Sequence, residues 1–330
     1  MTQPPLSTAP ADHNVFAGNP LDRAANERKD PAWLQGQHDD PARRILPVWR
    51  LRFPVDEGAA GGAGADLIWL PPAATAALPA GATPAPVLLG LRDGVPHFAL
   101  DVSALDDPAA LDLAPGAAYR DLRGIASSLP PADSGLAAQA RSLVDWHSRH
   151  GFCPACGAAT APEQGGAFRV CAECDAQHFP RTDPVVITLI HDGGDRCLLA
   201  ARAAAASPDQ PPPMFTCIAG FVDQGETVEA AVRREAWEEV GVRVTDVRYD
   251  HSQPWPFPSS LMLGCRARAE TTEITVDGDE IGQAHWFTRE QARRACSPGY
   301  DPATDGGSAA LLVPPPLAIA HHLIRRWAEE

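Results

Sequence analysis

Positive charge is scarce in this sequence, and lysine is almost absent. Lys29 is the only lysine among 330 residues, and the formal net charge is −15. A chain this acidic does not attract nucleic acid or membrane phosphates through its overall electrostatic field. If the protein handles a phosphorylated substrate, individual arginines or bound cations must supply the positive charge.

Long apolar segments are also missing. No run approaches the roughly 20 apolar residues that a membrane-spanning helix requires. Residues 1–30 are polar and contain no apolar segment of the signal-peptide type. We therefore expect a cytoplasmic protein with no membrane partner.

Four of the eight cysteines form two tight pairs, Cys153-x-x-Cys156 and Cys171-x-x-Cys174, with fourteen residues between them. In a cytosolic chain, such pairs indicate metal ligands rather than disulfides. Four thiolates can surround Zn²⁺ tetrahedrally at about 2.3 Å and leave no open position. The spacing therefore predicts one structural zinc ion per chain. A nucleic-acid-binding ribbon is the alternative, but the module contains one arginine, Arg169, and no lysine.

Hydrophobic periodicity divides the chain into modules, and the predicted fold class is α+β. Residues 1–44 have few periodic apolar positions and are predicted to be a flexible arm. The cysteine pairs define a ribbon over 150–178 that follows a β-rich domain over 45–149 and precedes an α/β region over 179–330. In the β-rich domain we expect strands at Val48–Phe53, Asp66–Leu70, Val87–Leu91 and Pro96–Val102, a hairpin turn at Arg92-Asp93-Gly94, and a helix over 134–149.

The α/β region begins with apolar segments typical of buried strands. Strands are predicted at Val185–Ile190, Cys197–Ala200, Thr216–Ala219, Arg243–Asp250, Leu261–Ala269 and His285–Phe287, with helices over 226–240 and 317–328. The helix over 226–240 follows a turn that contains Gly220 and Gly225. Its position between two predicted strands suggests a sheet that is covered by helices.

Three carboxylates on that helix lie on one face. Glu235, Glu238 and Glu239 are three and four residues apart, and like charges at this spacing destabilise a helix by roughly a few tenths of a kcal/mol per pair. A bound divalent cation would offset this repulsion, and clustered carboxylate oxygens suit Mg²⁺ or Mn²⁺. The alternative is a solvated acidic face that pairs with Arg233 and Arg234.

The stretch from Gly220 to Val242 resembles the Nudix signature, G-x5-E-x7-R-E-U-x-E-E-x-G-U. The positions in register are Gly220, Glu226, Arg234, Glu235, Glu238, Glu239, Gly241 and Val242, and Ala236 is smaller than the aliphatic residue usual at its place. The resemblance implies a Nudix α/β/α sandwich with a mixed sheet over 179–330. It also implies metal-dependent hydrolysis of a nucleoside diphosphate that is linked to another group.

The same resemblance implies roles for individual residues. The expected ligands of the catalytic Mg²⁺ or Mn²⁺ are Glu235, Glu238, Glu239, the backbone carbonyl of Ala219 and, later in the chain, Glu280. Arg234 is expected to orient the glutamates, with Glu226 as its ion-pair partner. Arg234 and the three helix glutamates form the expected catalytic set, and the identity of the general base stays open among them.

A proline-rich segment, Ser252 to Ser260, places two aromatic residues between three prolines. Such a segment either packs on its own domain or offers a preorganised ring surface to a base. It resembles the SQPWPFPxS array of the NAD(H) diphosphatase branch of the Nudix family, which also carries a zinc ribbon and an N-terminal β domain. The implied substrate contacts are Phe179, Phe221, Gln253, Pro254, Trp255, Pro256, Phe257, Pro258, Ser259, Ser260 and Ala320.

The branch implies hydrolysis of NAD(H) to nicotinamide mononucleotide and AMP by a homodimer in which the partner contributes Phe179. NAD-capped RNA as the main substrate is a second hypothesis, and the sequence does not separate the two because they would share one active site. ADP-ribose is a third candidate, against which the aromatic array argues. The fourth hypothesis is a non-catalytic zinc-ribbon binding module, against which the retained glutamates argue.

Overall fold

The computed structural model places the chain in two units. It describes residues 14–58, 64–70, 84–111, 113, 116–203, 213–305 and 311–330. One unit runs from Met1 to Thr182 and includes Pro254–Ser259, and the other comprises Asp183–Gln253 and Ser260–Glu330. Within the described residues, no helix is long and apolar enough to cross a membrane.

Among the described residues, short strands and three α-helices build the first unit before the cysteine module. In chain order they are α1 (Pro31–Asp39), β1 (Arg44–Val48), β2 (Arg52–Asp56), β3 (Asp66–Leu67), β4 (Val87–Arg92), β5 (Val95–Asp101), β6 (Ala118–Asp121), α2 (Leu122–Ile125) and α3 (Pro131–Arg149). They form two three-stranded sheets with the orders β1-β5-β4 and β3-β2-β6. The predicted hairpin is confirmed, since β4 and β5 are antiparallel and both Asp93 and Gly94 have positive φ.

The single strand predicted at Val48–Phe53 is wrong. The structure ends β1 at Val48 and begins β2 at Arg52. Arg50 and Leu51 adopt left-handed φ angles of 50° and 61°, and Trp49 and Arg52 exchange two backbone hydrogen bonds across the turn. The segment is therefore a tight reversal between two strands of different sheets, which periodicity alone does not reveal.

Residues 14–44 differ from the expected flexible arm, of which residues 1–13 lie outside the described part. Phe16 and Leu21 are each 1% exposed. The Asn19 side chain donates to the carbonyl of Gly135 at 3.2 Å, and Asp30 caps α1 by accepting the N–H of Ala32. Isolated apolar side chains that insert into a distant core give no periodic signal, so local sequence did not predict this packing.

The cysteine module follows α3 as a small three-stranded sheet. Its strands are β7 (Thr160–Glu163), β8 (Phe168–Cys171) and β9 (Gln177–His178), in the order β7-β8-β9. Both strand pairs are antiparallel.

The second unit is a mixed sheet with helices. Its elements are β10 (Asp183–His191), β11 (Arg196–Arg202), β12 (Ile218–Phe221), α4 (Val228–Val240), β13 (Val244–Trp255), β14 (Ser260–Ala269), β15 (Ile281–Thr288), α5 (Arg289–Ala295), α6 (Pro302–Asp305) and α7 (Ile319–Glu329). The sheet order is β13-β14-β10-β11-β15, and β12 pairs with β10. The ladder between β10 and β14 is parallel, whereas β10 and β11 are antiparallel.

Helices cover both faces of this sheet because consecutive strand residues point to opposite sides. In β11, Cys197 and Leu199 join the core cluster that contains Leu323 of α7. Leu198 and Ala200 join the other cluster, which contains the buried residues of α4. The expectation of an α/β/α sandwich with a mixed sheet is confirmed.

Candidate metal and substrate site

The helix that carries the glutamates, α4, is fixed at both ends by its sequence. Thr227 precedes it and accepts the N–H of Ala230 on its hydroxyl at 3.2 Å. Gly241 follows it in the left-handed conformation, with φ of 67°, and donates its N–H to the carbonyls of Ala236 and Trp237. The two caps set the register in which the three glutamates leave the helix.

Arg234 connects this helix to the loop that precedes it. Its Nε and Nη2 atoms donate to both oxygens of Glu226 at 2.8 Å, and Nη2 also donates to the carbonyl of Phe221 at 2.8 Å. Its Nη1 atom donates to Glu235 at 2.6 Å and to Glu238 at 3.0 Å. The guanidinium lowers the pKa of Glu226 to about 2, so this pair stays ionised. Arg234 thus holds two of the predicted metal ligands in place.

Glu235 lies directly against the backbone of Gly220. A Cβ atom built at Gly220 would come within 2.0 Å of the Glu235 carboxylate, a distance that no real Cβ contact reaches. Residue 220 must therefore be glycine for the carboxylate to occupy this place. Burial raises the pKa of Glu235, which costs free energy unless a positive charge faces the group.

Glu239 is the most buried of the three helix glutamates. Its residue is 5% exposed, and within the described part of the chain its Oε2 atom has no hydrogen-bond partner. Burial, reinforced by the negative charges of Glu235, Glu280 and Asp277, raises the pKa of Glu239 to about 8. A buried carboxylate without a partner is expensive, and a hard divalent cation is the counter-charge that these oxygens would bind best.

The loop that carries Glu280 is tied to the end of α4. The N–H of Thr275 donates to the carbonyl of Val240 at 2.9 Å, and that of Asp277 donates to the carbonyl of Glu239 at 3.2 Å. The Asp277 carboxylate then accepts the N–H groups of Glu280 and Ile281. This role of Asp277 was not predicted from the sequence, although the following residue, Gly278, is a turn signal.

The four cysteine sulfurs already form a metal-ligand cluster. All four Sγ atoms lie within 4.8 Å of one another, the one such group of ligand atoms found in the described residues. The cysteine cluster fits a tetrahedral zinc ion, as the spacing predicted.

The two cysteine pairs have the same local fold. Gly157 and Asp175, the residues after the second cysteine of each pair, have left-handed φ angles of 79° and 57°. Each donates its backbone N–H to the carbonyl of the first cysteine of its own pair, at 2.8 and 3.2 Å. The N–H groups of Cys174 and Glu173 lower the pKa of Cys171 to about 7, whereas contacts with the other thiols raise the pKa of Cys156 and Cys174.

The aromatic array packs within the first unit. The rings of Trp255 and Phe257 are 5.4 Å apart at 71°, and both contact Phe16 edge-on. The guanidinium of Arg123 lies 4.4 Å from the ring centre of Phe257, and that of Arg141 lies 4.7 Å from it. Both rings are partly exposed. Phe16 and the two arginines are more than 110 residues from the array in sequence, so no local signal could have linked them to it.

Gln253 differs from its neighbours in the array because its side chain is fully buried in the second unit. Its amide donates to the carbonyl of Leu317 and accepts the N–H of Ile319, both at 2.8 Å. Gln253 therefore fixes the start of α7, where Ala320 lies in the first turn and is 2% exposed.

Two other residues expected at the substrate are exposed phenylalanines. Phe179 is 62% exposed in the first unit, with its ring centre 5.4 Å from that of Phe168. Phe221 is 58% exposed in the second unit, at the end of β12. Large exposed rings of this kind are suited to stacking.

Three family models match the chain in succession. They are the NADH pyrophosphatase-like rudimentary NUDIX domain over residues 43–146, the NADH pyrophosphatase zinc ribbon domain over 148–179 and the NUDIX domain over 181–305. Among solved structures, a NUDIX hydrolase from Nitrosomonas europaea is 21% identical, covers 54% of this chain and 90% of that one, and has a TM-score of 0.40.

Two curated relatives of the chain are called NAD-capped RNA hydrolases. The NAD-capped RNA hydrolase NudC of Mycobacterium tuberculosis is 41% identical over 249 residues, which cover 74% of this chain and 76% of that protein. The human NAD-capped RNA hydrolase NUDT12 is 50% identical over 204 residues, which cover 59% of this chain but only 42% of the human protein. This chain belongs to the Nudix hydrolases, in the branch that joins a rudimentary Nudix domain, a zinc ribbon and a complete Nudix domain.

Proposed function

We propose that the protein hydrolyses the pyrophosphate bond of NAD(H), giving nicotinamide mononucleotide (oxidised or reduced) and AMP. The observation that carries this proposal is the buried Glu239 carboxylate, whose Oε2 atom lacks a hydrogen-bond partner in the described residues and which lies among other carboxylates. Such a group fits a site for Mg²⁺ or Mn²⁺. Its ligands would be Glu235, Glu238, Glu239, Glu280 and the carbonyl of Ala219.

The bound cation would supply charge stabilisation at phosphorus and a lowered pKa for the attacking water. The protein supplies the positions of its own groups. Arg234 holds Glu235 and Glu238 at hydrogen-bond distance. The Glu238 side chain is 56% exposed, compared with 12% for Glu235, so a proton accepted by Glu238 can pass to solvent. Glu238 is therefore our candidate for proton transfer.

The dinucleotide assignment depends on the rings. Trp255 and Phe257 offer flat, partly exposed surfaces, and Phe179 and Phe221 add two exposed rings. A dinucleotide presents two flat ring systems, a base and a nicotinamide, and both can stack on aromatic side chains. We assign Phe179 to the site of a partner subunit in a homodimer, as the resemblance to this branch of the family implies.

NAD-capped RNA is the second candidate substrate. The NudC and NUDT12 relatives favour it, because both proteins are called NAD-capped RNA hydrolases. The bond that is cleaved and the groups that cleave it would be the same.

The test is product analysis after incubation with NADH and Mg²⁺ or Mn²⁺, with and without a chelator. We expect metal-dependent release of reduced nicotinamide mononucleotide and AMP. Glu239→Gln should abolish most of the release, whereas Glu229→Gln, an exposed glutamate in the first turn of the same helix, should not. Absence of cleavage by the folded, zinc-loaded protein would contradict the proposal.

The same assay with RNA that carries a 5′ NAD cap separates the two substrates. Faster turnover of capped RNA than of NADH at equal concentration would make the RNA the preferred substrate. Much slower turnover would leave free dinucleotide as the substrate of this chain.

A further inference from the structure

The support of the aromatic array comes from parts of the chain to which the proposed chemistry assigns no role. Residues 254–259 group with the first unit, although most of β13 and all of β14, the strands on either side of them, belong to the second. Their contacts in the first unit include α3, the segment around Phe16, and Arg123 of α2, whose guanidinium lies 4.4 Å from the ring centre of Phe257 and 5.9 Å from that of Trp255.

Helix α3 holds the backbone of the array. Nη1 of Arg141 donates to the carbonyl of Pro256, and the guanidinium lies over the ring of Phe257. The next residue, Ser142, donates its hydroxyl to the carbonyl of Pro258 at 3.0 Å. Proline has no N–H group, so a proline-rich segment forms few ladder hydrogen bonds of its own. Two carbonyls of the array are thus fixed by consecutive residues of one rigid helix.

Phe16 supports the same rings from another side. Its ring centre lies 6.0 Å from that of Trp255 and 5.9 Å from that of Phe257, at interplanar angles of 79° and 72°. Its backbone N–H donates to Oγ of Ser134, also in α3, at 3.2 Å. The three rings form one edge-to-face cluster, a geometry that restricts the rotation of each ring.

Arg141 is a costly choice at this place. Burial lowers the pKa of its guanidinium, and its buried Nε atom has no hydrogen-bond partner in the described part of the chain. An apolar side chain of similar length would avoid that desolvation. The arginine adds a directed hydrogen bond to Pro256 and a planar contact on Phe257. Both contacts fix the position of the aromatic array.

We propose that Arg141 and Phe16 are positioning residues for substrate binding. They hold the rings of Trp255 and Phe257 in the arrangement on which a base or nicotinamide stacks. The inference rests on the proposed dinucleotide site and assigns a role to α3 and to the N-terminal segment. Neither residue is among the proposed metal ligands, so their contribution is to binding rather than to the chemical step.

Steady-state kinetics of Arg141→Met and Phe16→Leu with NADH test this proposal. We expect KM to rise about tenfold while kcat stays within about twofold, because ring geometry is lost and the glutamates are unchanged. Arg141→Lys, which keeps a donor for Pro256, should give an intermediate KM. Arg50→Met is the matched control, because it removes a guanidinium that lies 4.6 Å from the Trp49 ring in the same unit. Unchanged KM in both test variants would overturn the proposal.

Fluorine NMR of protein labelled with 5-fluorotryptophan gives a readout that does not depend on activity. The resonance of Trp255 is assigned by its loss in Trp255→Phe. It should shift or broaden in Arg141→Met and Phe16→Leu, and not in Arg50→Met. If the wild-type protein cleaves no dinucleotide, the proposed function fails and this resonance alone decides the positioning role. A resonance that stays unchanged in both variants would then overturn that role.

Discussion

The two predicted metal centres of this protein are prepared in opposite ways. The cysteine sulfurs converge within 4.8 Å on two turns of the same local fold. The carboxylates of the second centre come from one helix and a later loop, and Arg234 donates hydrogen bonds to two of them. The first arrangement suits an ion that stays as part of the fold. The second combines the buried Glu235 and Glu239 with the exposed Glu238 and Glu280, as suits a site that must admit a substrate.

The largest effect is expected when one ligand is removed from the cysteine centre. Cys171→Ser should destabilise the protein by several kcal/mol, about 10 °C or more in Tm, because structural zinc binding is folding free energy. Thermal unfolding with zinc analysis measures this. Cys265→Ser, at a buried thiol outside the cluster, is the control. A normal Tm for a zinc-free Cys171→Ser would show that the cluster is dispensable for folding.

Removal of one ligand from the glutamate centre should affect catalysis instead of stability. Glu239→Gln is expected to lower kcat roughly a hundredfold or more, about 2.7 kcal/mol, because a metal ligand of the reacting centre is lost. Turnover of NADH at saturating Mg²⁺ measures the effect, and Tm should not fall. A variant with the wild-type rate would show that Glu239 is not a ligand of the catalytic metal.

Glycine 220 tests whether the position of Glu235 matters. Gly220→Ala places a methyl group where the Glu235 carboxylate now lies, so one of the two must move. We expect kcat to fall by about tenfold or more, since displacement of a positioned group by about 1 Å is costly. Gly225→Ala, in the turn after β12, is the comparison for backbone strain alone, because a Cβ there meets no atom within 4 Å but φ is 85°. Equal activity of Gly220→Ala and wild type would contradict the geometry.

The pH dependence of stability tests the burial of the carboxylates in the glutamate centre. Glu239 has an ordinary pKa of 4.5 and a folded-state pKa of about 8, and burial raises the pKa of Glu235 in the same direction. Below pH 4.5 both folded and unfolded chains hold the proton. Between pH 4.5 and about 8 only the folded chain holds it, so stability falls as pH rises.

In chelator that leaves zinc bound, we therefore expect the Tm of the wild type to decrease by a few degrees from pH 5 to pH 8. The decrease should be smaller in Glu239→Gln, and Mg²⁺ should raise the Tm most at pH 8. A wild-type protein whose zinc-loaded Tm rises over this interval would show that the carboxylates are not under strain.

The smallest expected effect concerns the cap of the catalytic helix. Gly241→Ala forces an alanine into the left-handed region at φ of 67° and brings its Cβ to 3.1 Å from that of Thr275. The cost should be about 1 kcal/mol, or 2–4 °C in Tm. Gly36→Ala in α1, where a Cβ meets nothing within 4 Å, should be neutral or stabilising. Equal Tm values for the two variants would remove the strain argument.

Local sequence determined the chemistry of both centres. Two Cys-x-x-Cys pairs bring four thiolates within reach of one ion, and glutamates three and four residues apart share a helix face, because turn geometry and helix periodicity act over a few residues. The same local rules predicted α3, α4, α7 and the hairpin at Asp93-Gly94. They failed at Arg50 and Leu51, where a segment predicted to be one strand reverses direction.

Only the tertiary structure decided which distant groups surround these motifs. Asp277 and Glu280 meet Glu239 because a loop after β14 pairs with the end of α4. Gln253 belongs to a motif expected to line the substrate, but its buried side chain forms hydrogen bonds with the backbone of Leu317 and Ile319. Phe16 and Arg141 contact an array more than 110 residues away. Such contacts arise from the packing of whole elements, and a single sequence contains no periodic signal for them.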